Sequence, residues 1–319
     1  MAGCAQGAAF APAGCGLRDR SHTMQAMPAS MPTMAISLLT ALVALGLLHA
    51  LPQLARWRGD GLFRRWVGQL ADLQGGARVL LSLLPALLLC GLGAWLMSHA
   101  PLGTLLFSLV VLLYCIGPRE FESDLEAILN APDGASRHAA AQALADDGTP
   151  INWSATELGV AIAYAALRRR FAVLLWFFLL GPTGALLYRL AQTLGRDEAL
   201  PLDAASRTAA RYLANALDWL PAQLLVFTLA IVGHWEAVIG AWRRWHAQAS
   251  TTSWYTGGPD FLGAAAQADI LIDIEAGDGH FEERSDPLTE LVRLRSALLR
   301  ALLTWLSVVA LIVLGGWLS

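Results

Sequence analysis

Asp218 stands directly before Trp219-Leu220-Pro221 at the head of an apolar run, and a carboxylate there suits one of two tasks. It caps the first turn of a helix, where a proline is tolerated, or it faces a ligand at the start of a membrane-embedded helix. His234 and Glu236 end the same run. At i, i+2 they do not face one another on a helix, so a place near lipid headgroups is expected, although ionisable groups within a membrane also mark function. Arg168, Arg169 and Arg170 are expected to snorkel to anionic headgroups, with Arg168 also able to bind an anion. Glu122 and Glu126 share a helix face, either solvated or offered to Mg²⁺. The candidate ligand or partner contacts are therefore Arg168, Asp218, Trp219, Pro221, His234 and Glu236. The sequence holds no Walker motif, nucleotide glycine fingerprint, zinc spacing or nucleophile elbow, so no catalytic residue, metal or cofactor is expected.

The elements that must position these groups are apolar helices. The chain of 319 residues is 56% hydrophobic and only 15% charged, where a soluble domain of this size would be nearer a quarter charged. The fold class predicted is all-α, a polytopic membrane helix bundle. Full spans are expected at 34–54, 79–97, 102–117 and 301–318. Two further apolar segments, 171–191 and 219–241, contain breaks, the first at Gly181-Pro182-Thr183-Gly184 and the second opening on Asp218 to Pro221. A proline removes a backbone donor, and in lipid the freed groups must be satisfied by protein or water. Both segments are thus expected to be re-entrant or interfacial helices inside the bundle.

Residues 1–33 lack any periodicity and read as a disordered tail or a start-site artefact, with 34–319 a single membrane domain. The apolar spacing of Trp57, Leu62, Phe63, Trp66, Val67 and Leu70 predicts an interfacial amphipathic helix. Ser154 and Glu157 fit a capping box. Every basic residue except histidine is an arginine, and the arginines lie in alternate loops. With 55–78, 119–170, 192–215 and 242–298 all cytoplasmic, the positive-inside rule is met, provided both broken segments enter and leave on one side. The alternative, six full spans, would put Arg196, Arg207 and Arg211 outside. Cys4, Cys15, Cys90 and Cys115 form no metal spacing or disulfide framework.

Leu217-Asp218-Trp219-Leu220-Pro221-Ala222-Gln223-Leu224, followed by Ile231-Val232-Gly233-His234-Trp235-Glu236, resembles the AmpE family. Met34 to Leu39 and Leu113-Tyr114-Cys115-Ile116-Gly117 add to the likeness, which covers about 34–319. The resemblance implies a multi-pass protein of the bacterial inner membrane that modulates β-lactamase induction and peptidoglycan recycling. It implies a cytosolic AmpD-type amidase as partner beside the lipid bilayer, and no nucleic acid.

A more distant likeness is to the adenosylcobinamide-phosphate synthase family of cobalamin assembly. Gly184-Ala185-Leu186-Leu187-Tyr188-Arg189 and the Trp-Leu-Pro-Ala run resemble segments of that enzyme. The chain departs from it where the enzyme carries Glu-Asn-x-x-Asp-Gly, having Ala163 to Arg168 instead. It departs again where the enzyme has Asn-Thr-Leu-Asp-Ser, having Gln192-Thr193-Leu194-Gly195-Arg196. These departures imply a retained scaffold with the chemistry lost. Two other classes stay open from the sequence: a synthase-like membrane enzyme, and a transporter-like binding protein built on broken helices.

Overall fold

In the computed structural model, residues 31–51, 59–116, 121–145, 150–275 and 287–318 are described, and among them the chain is helical with no strand. Long Leu-, Val- and Ala-rich runs make the outer helices. These are α1 (Met31–Ala50), α3 (Gly75–Met97), α4 (Pro101–Cys115) and α13 (Pro287–Leu318). They present leucines such as Leu89, Leu102 and Leu311 outward, as lipid-facing helices must. Between α1 and α3 lies the short α2 (Gly61–Gln69), which buries Phe63 and Val67 and leaves Leu62 exposed. The expected amphipathic helix is thus present from Gly61 onward; its Trp57 end lies outside the described residues, as does the tail before residue 31.

The centre is formed by α7 (Ala155–Ala166), a π-helical turn (Leu167–Phe171), α8 (Ala172–Arg196) and α9 (Ala204–Val232). Phe171, Phe177, Tyr188, Leu158 and Ile162 fill the core between them. Around this centre pack α5 (Phe121–Leu129), α6 (Gly134–Gln142), α10 (Trp235–Gln248), α11 (Ser253–Thr256) and α12 (Asp260–Glu275). Among the described residues four helical stretches are long and apolar enough to cross a membrane, while α4 and the apolar part of α1 are shorter. The protein is a multi-pass helical membrane bundle.

One of those stretches, Ala155–Arg196, is not a straight rod. Gly181 has φ 66° and ψ −156°, a region only glycine enters without strain, and the chain turns there. Arg168 and Arg196 would lie roughly 42 Å apart along one straight helix. Both instead reach the same carboxylate, that of Asp218, at 3.6 and 3.0 Å. The two halves of α8 therefore fold back on one another, with Gly184 so close to Trp176 that a Cβ would sit 2.3 Å from its carbonyl oxygen.

The second broken segment folds back too, but at a different place from the one expected. Pro221 does not open a helix: α9 begins at Ala204, directly after its N-cap Asp203, and Pro221 lies well inside it. The Asp203 side chain accepts from the Ser206 N–H at 3.0 Å, so Asp203, not Asp218, is the cap. The reading of Asp218 as a helix cap is thus overturned. Pro221 cannot donate to the carbonyl of Leu217, and Trp176 Nε1 of α8 donates to that oxygen at 3.0 Å instead. The same device recurs in α3, where Pro85 frees the Leu81 carbonyl and Trp66 Nε1 reaches it at 3.3 Å. The actual break follows Val232, at Gly233 and His234. Beyond it α10 runs back along α9, so that Trp242 Nε1 donates to Gln223 Oε1 at 2.7 Å.

Candidate functional site

Asp218 is fully buried in the middle of α9. Its Oδ1 accepts from Tyr188 Oη at 2.6 Å and from Gln192 Nε2 at 2.7 Å. Its Oδ2 accepts from Arg196 Nη2 at 3.0 Å and faces Arg168 Nε at 3.6 Å. Tyr188, Gln192 and Arg196 are spaced i, i+4, i+8, so one face of α8 carries all three donors. That polar stripe in an apolar helix is the signal by which sequence reasoning could have found the site. Arg196 is further fixed by Gln192 Oε1 at 2.8 Å and Asn215 Oδ1 at 3.1 Å.

Arg168 enters from the π-helical turn, a widened coil that often occurs at functional sites. Its guanidinium lies 5.1 Å from the centre of the Tyr164 ring. The expected snorkelling of Arg168 to Arg170 is therefore not what occurs. Consecutive helical residues point in different directions, so each arginine meets a different acid. Arg169 pairs with Asp124 at 2.5 Å and Arg170 with Glu122 at 3.1 Å. Arg295 closes the set on Glu122 and Glu126. Asp124 and Glu122 are thus largely buried counter-ions within the protein, while Glu126 keeps a solvated side chain, as expected of a solvated face.

Above the Asp218 group opens a cleft of about 790 Å³, in the size range of small-molecule sites. Arg168, Arg196, Arg211, Tyr212, Asn215 and Asp260 are among its lining residues. Its walls thus come from the π turn, the end of α8, the first half of α9 and the start of α12. Gly195 also lines it. A Cβ there would meet the Ala214 Cβ at 2.8 Å and the Ala210 carbonyl oxygen at 2.9 Å, so this glycine lets α8 and α9 touch. Glu157 lines the cleft as well, but its carboxylate is occupied by Asn152 N and Nδ2, both at 3.0 Å. Ser154 caps α7, accepting from the Glu157 N–H.

The other candidates lie elsewhere. Trp219 packs partly buried against the core, and Pro221 is buried in α9. His234 sits at the break before α10, where its backbone N and its Nδ1 both meet Asp269 Oδ1, at 2.9 and 3.0 Å. Arg293 Nη1 holds the other oxygen of Asp269 at 3.2 Å. Glu236 is exposed in the first turn of α10. Of the six candidates, Arg168 and Asp218 are brought together and the rest are not part of the cleft. The spacing of apolar runs did not single out Arg196, Tyr188 or Gln192. Among the described residues no group of three or more His, Cys, Asp or Glu side chains is placed to hold a metal ion.

The chain is 29% identical over 230 residues to the cobalamin biosynthesis protein CobD of Chromobacterium violaceum, covering 66% of this chain and 69% of that protein. No solved structure matches it. The family model described as "Regulatory signalling modulator protein AmpE" matches residues 36–257, and the chain belongs to that family.

Proposed function

We propose that this protein is an inner-membrane modulator of β-lactamase induction and peptidoglycan-recycling signalling that binds a ligand in the arginine-lined cleft without turning it over. The observation that carries this reading is the convergence of Arg168 and Arg196, from the two ends of a folded-back segment, on the buried Asp218 beneath the cleft. Charged side chains so held give a preorganised binding surface. The walls come from the loops expected to be cytoplasmic, which supports a cleft open to the cytoplasm, where an AmpD-type amidase could meet it.

Binding without turnover is supported by what fills the matching positions. Phosphate activation needs carboxylates to hold a cation and groups that stabilise charge developing on the phosphoryl oxygens. Here 163–168 is apolar up to Arg168 save for the Tyr164 hydroxyl, and Gly195 has no room even for a methyl group. Binding alone does not accelerate chemistry. The test replaces the gene by Arg168→Gln or Asp260→Asn and measures induced β-lactamase at equal membrane accumulation. Altered induction is expected; wild-type induction in both variants would refute the proposal.

The similarity to a cobalamin biosynthesis protein favours one second reading, a membrane enzyme of that kind. It predicts that this gene restores cobinamide-dependent growth to cells lacking their cobalamin synthase, and that Glu157→Ala abolishes the rescue. The modulator reading predicts no rescue.

A further inference from the structure

The charges around the cleft identify the class of ligand. Arg211 is already paired with Glu198 at 3.7 Å, both well exposed, and Glu157 is bound by Asn152. At the deep end lie Arg168 and Arg196, the Asp218 beneath them, and Asp260 on the wall. Two guanidiniums and the Asp218 and Asp260 carboxylates sum to no net charge. That matches a ligand that carries both signs and no net charge; a phosphate dianion would leave two negative charges over in a partly desolvated site.

Asp260, the first residue of α12, is exposed to the cleft, and among the described residues its carboxylate accepts no hydrogen bond and forms no ion pair. Partial burial raises its pKa, while Arg168 and Arg196 pull it down, so its charge is felt by the same two guanidiniums. We infer that the cleft takes a zwitterion of the amino-acid or short-peptide class, its carboxylate on Arg168 and Arg196 and its ammonium on Asp260. Planar guanidiniums suit a carboxylate, and a free carboxylate suits an ammonium. The exposed ring of Tyr212, edge-on to Tyr255 with centroids 5.3 Å apart, offers an apolar wall for the rest of such a ligand. This inference rests on the ligand-binding reading above and narrows it.

The test is calorimetric titration of the full chain in lipid nanodiscs with alanyl-alanine, in its L,L and D,D forms. Its N-acetyl and amide derivatives and inorganic phosphate serve as comparisons. One stereoisomer of the free dipeptide should bind at least about tenfold more tightly than either blocked form or phosphate, the scale of a lost charge-assisted contact. Asp260→Asn should bring the dipeptide down to the level of its N-acetyl form, whose own affinity stays unchanged. The inference is overturned if phosphate or the N-acetyl form binds as tightly as the free dipeptide. It is equally overturned if Asp260→Asn keeps the preference, or if neither stereoisomer binds. No binding combined with altered induction in Arg168→Gln removes the ligand class and leaves the modulator role. The predicted binding combined with wild-type induction does the reverse.

Discussion

Replacing Asp218 by alanine removes the acceptor shared by Tyr188, Gln192 and Arg196 and the counter-ion of Arg168. Adding the contacts one by one would overstate the loss, because the donors act on a single carboxylate and their effects are not independent. The largest cost comes from the charge left behind: removing one partner of a buried ion pair costs about 3–5 kcal/mol. Asp218→Asn keeps an acceptor for Tyr188 and Gln192 but turns an amide toward Arg196, so its loss should be nearer the 1.5–3 kcal/mol, roughly, of a hydrogen bond to a charged group. The assay is unfolding of the purified protein by SDS titration in mild detergent, followed through its 12 tryptophans. In an Arg196→Gln background the alanine substitution should cost at least about 1 kcal/mol less than in wild type, since part of the stranded charge is gone. A loss below about 1 kcal/mol for Asp218→Ala, or full additivity with Arg196→Gln, would show that the buried carboxylate does not hold these donors together.

Trp176→Phe should destabilise the protein by about 1–3 kcal/mol in the same titration, because the Leu217 carbonyl freed by Pro221 then lacks its donor. Gly195→Ala should cost about 1–3 kcal/mol by forcing α8 and α9 apart, and Gly195→Asp should restore no synthase activity, read as absence of growth rescue. Asp203 caps α9 through Ser206, which holds its pKa down at about 2. A depressed carboxyl pKa contributes stability above the unfolded value and loses it as pH falls through the folded one. The cap's contribution should therefore fade from about pH 4 to pH 2, and Asp203→Asn should flatten that limb of an acid titration.

The helical membrane bundle is legible in the sequence because its apolar runs are long and its charges few. The break at Gly181-Pro182 is legible for a local reason, a missing donor beside a residue free to take positive φ. Asp218 misleads because Pro221 looks like a first-turn proline. What satisfies the backbone of α9 there is Trp176, forty-one residues from Leu217, and no local pattern reports such a partner. Arg168 to Arg170 mislead for a similar reason: their counter-ions come from α5 and α9, whose arrangement the spacing does not give. The stripe of Tyr188, Gln192 and Arg196 is present in the sequence, and it points at the site once α8 is known to be helical up to Arg196.

A cytosolic role for the cleft requires that it open to the cytoplasm, with both broken segments returning to the side they left. Single cysteines at Gly134, Glu198 and Gly257 test this in a background where the native cysteines are replaced, using a membrane-impermeant maleimide. Glu198 is the informative position, since its side chain is 72% exposed and it follows the fold-back of α8. All three cysteines should be labelled in inverted membrane vesicles and protected in intact spheroplasts. Labelling of Glu198→Cys in spheroplasts would place the cleft wall outside and contradict the proposed cytoplasmic opening.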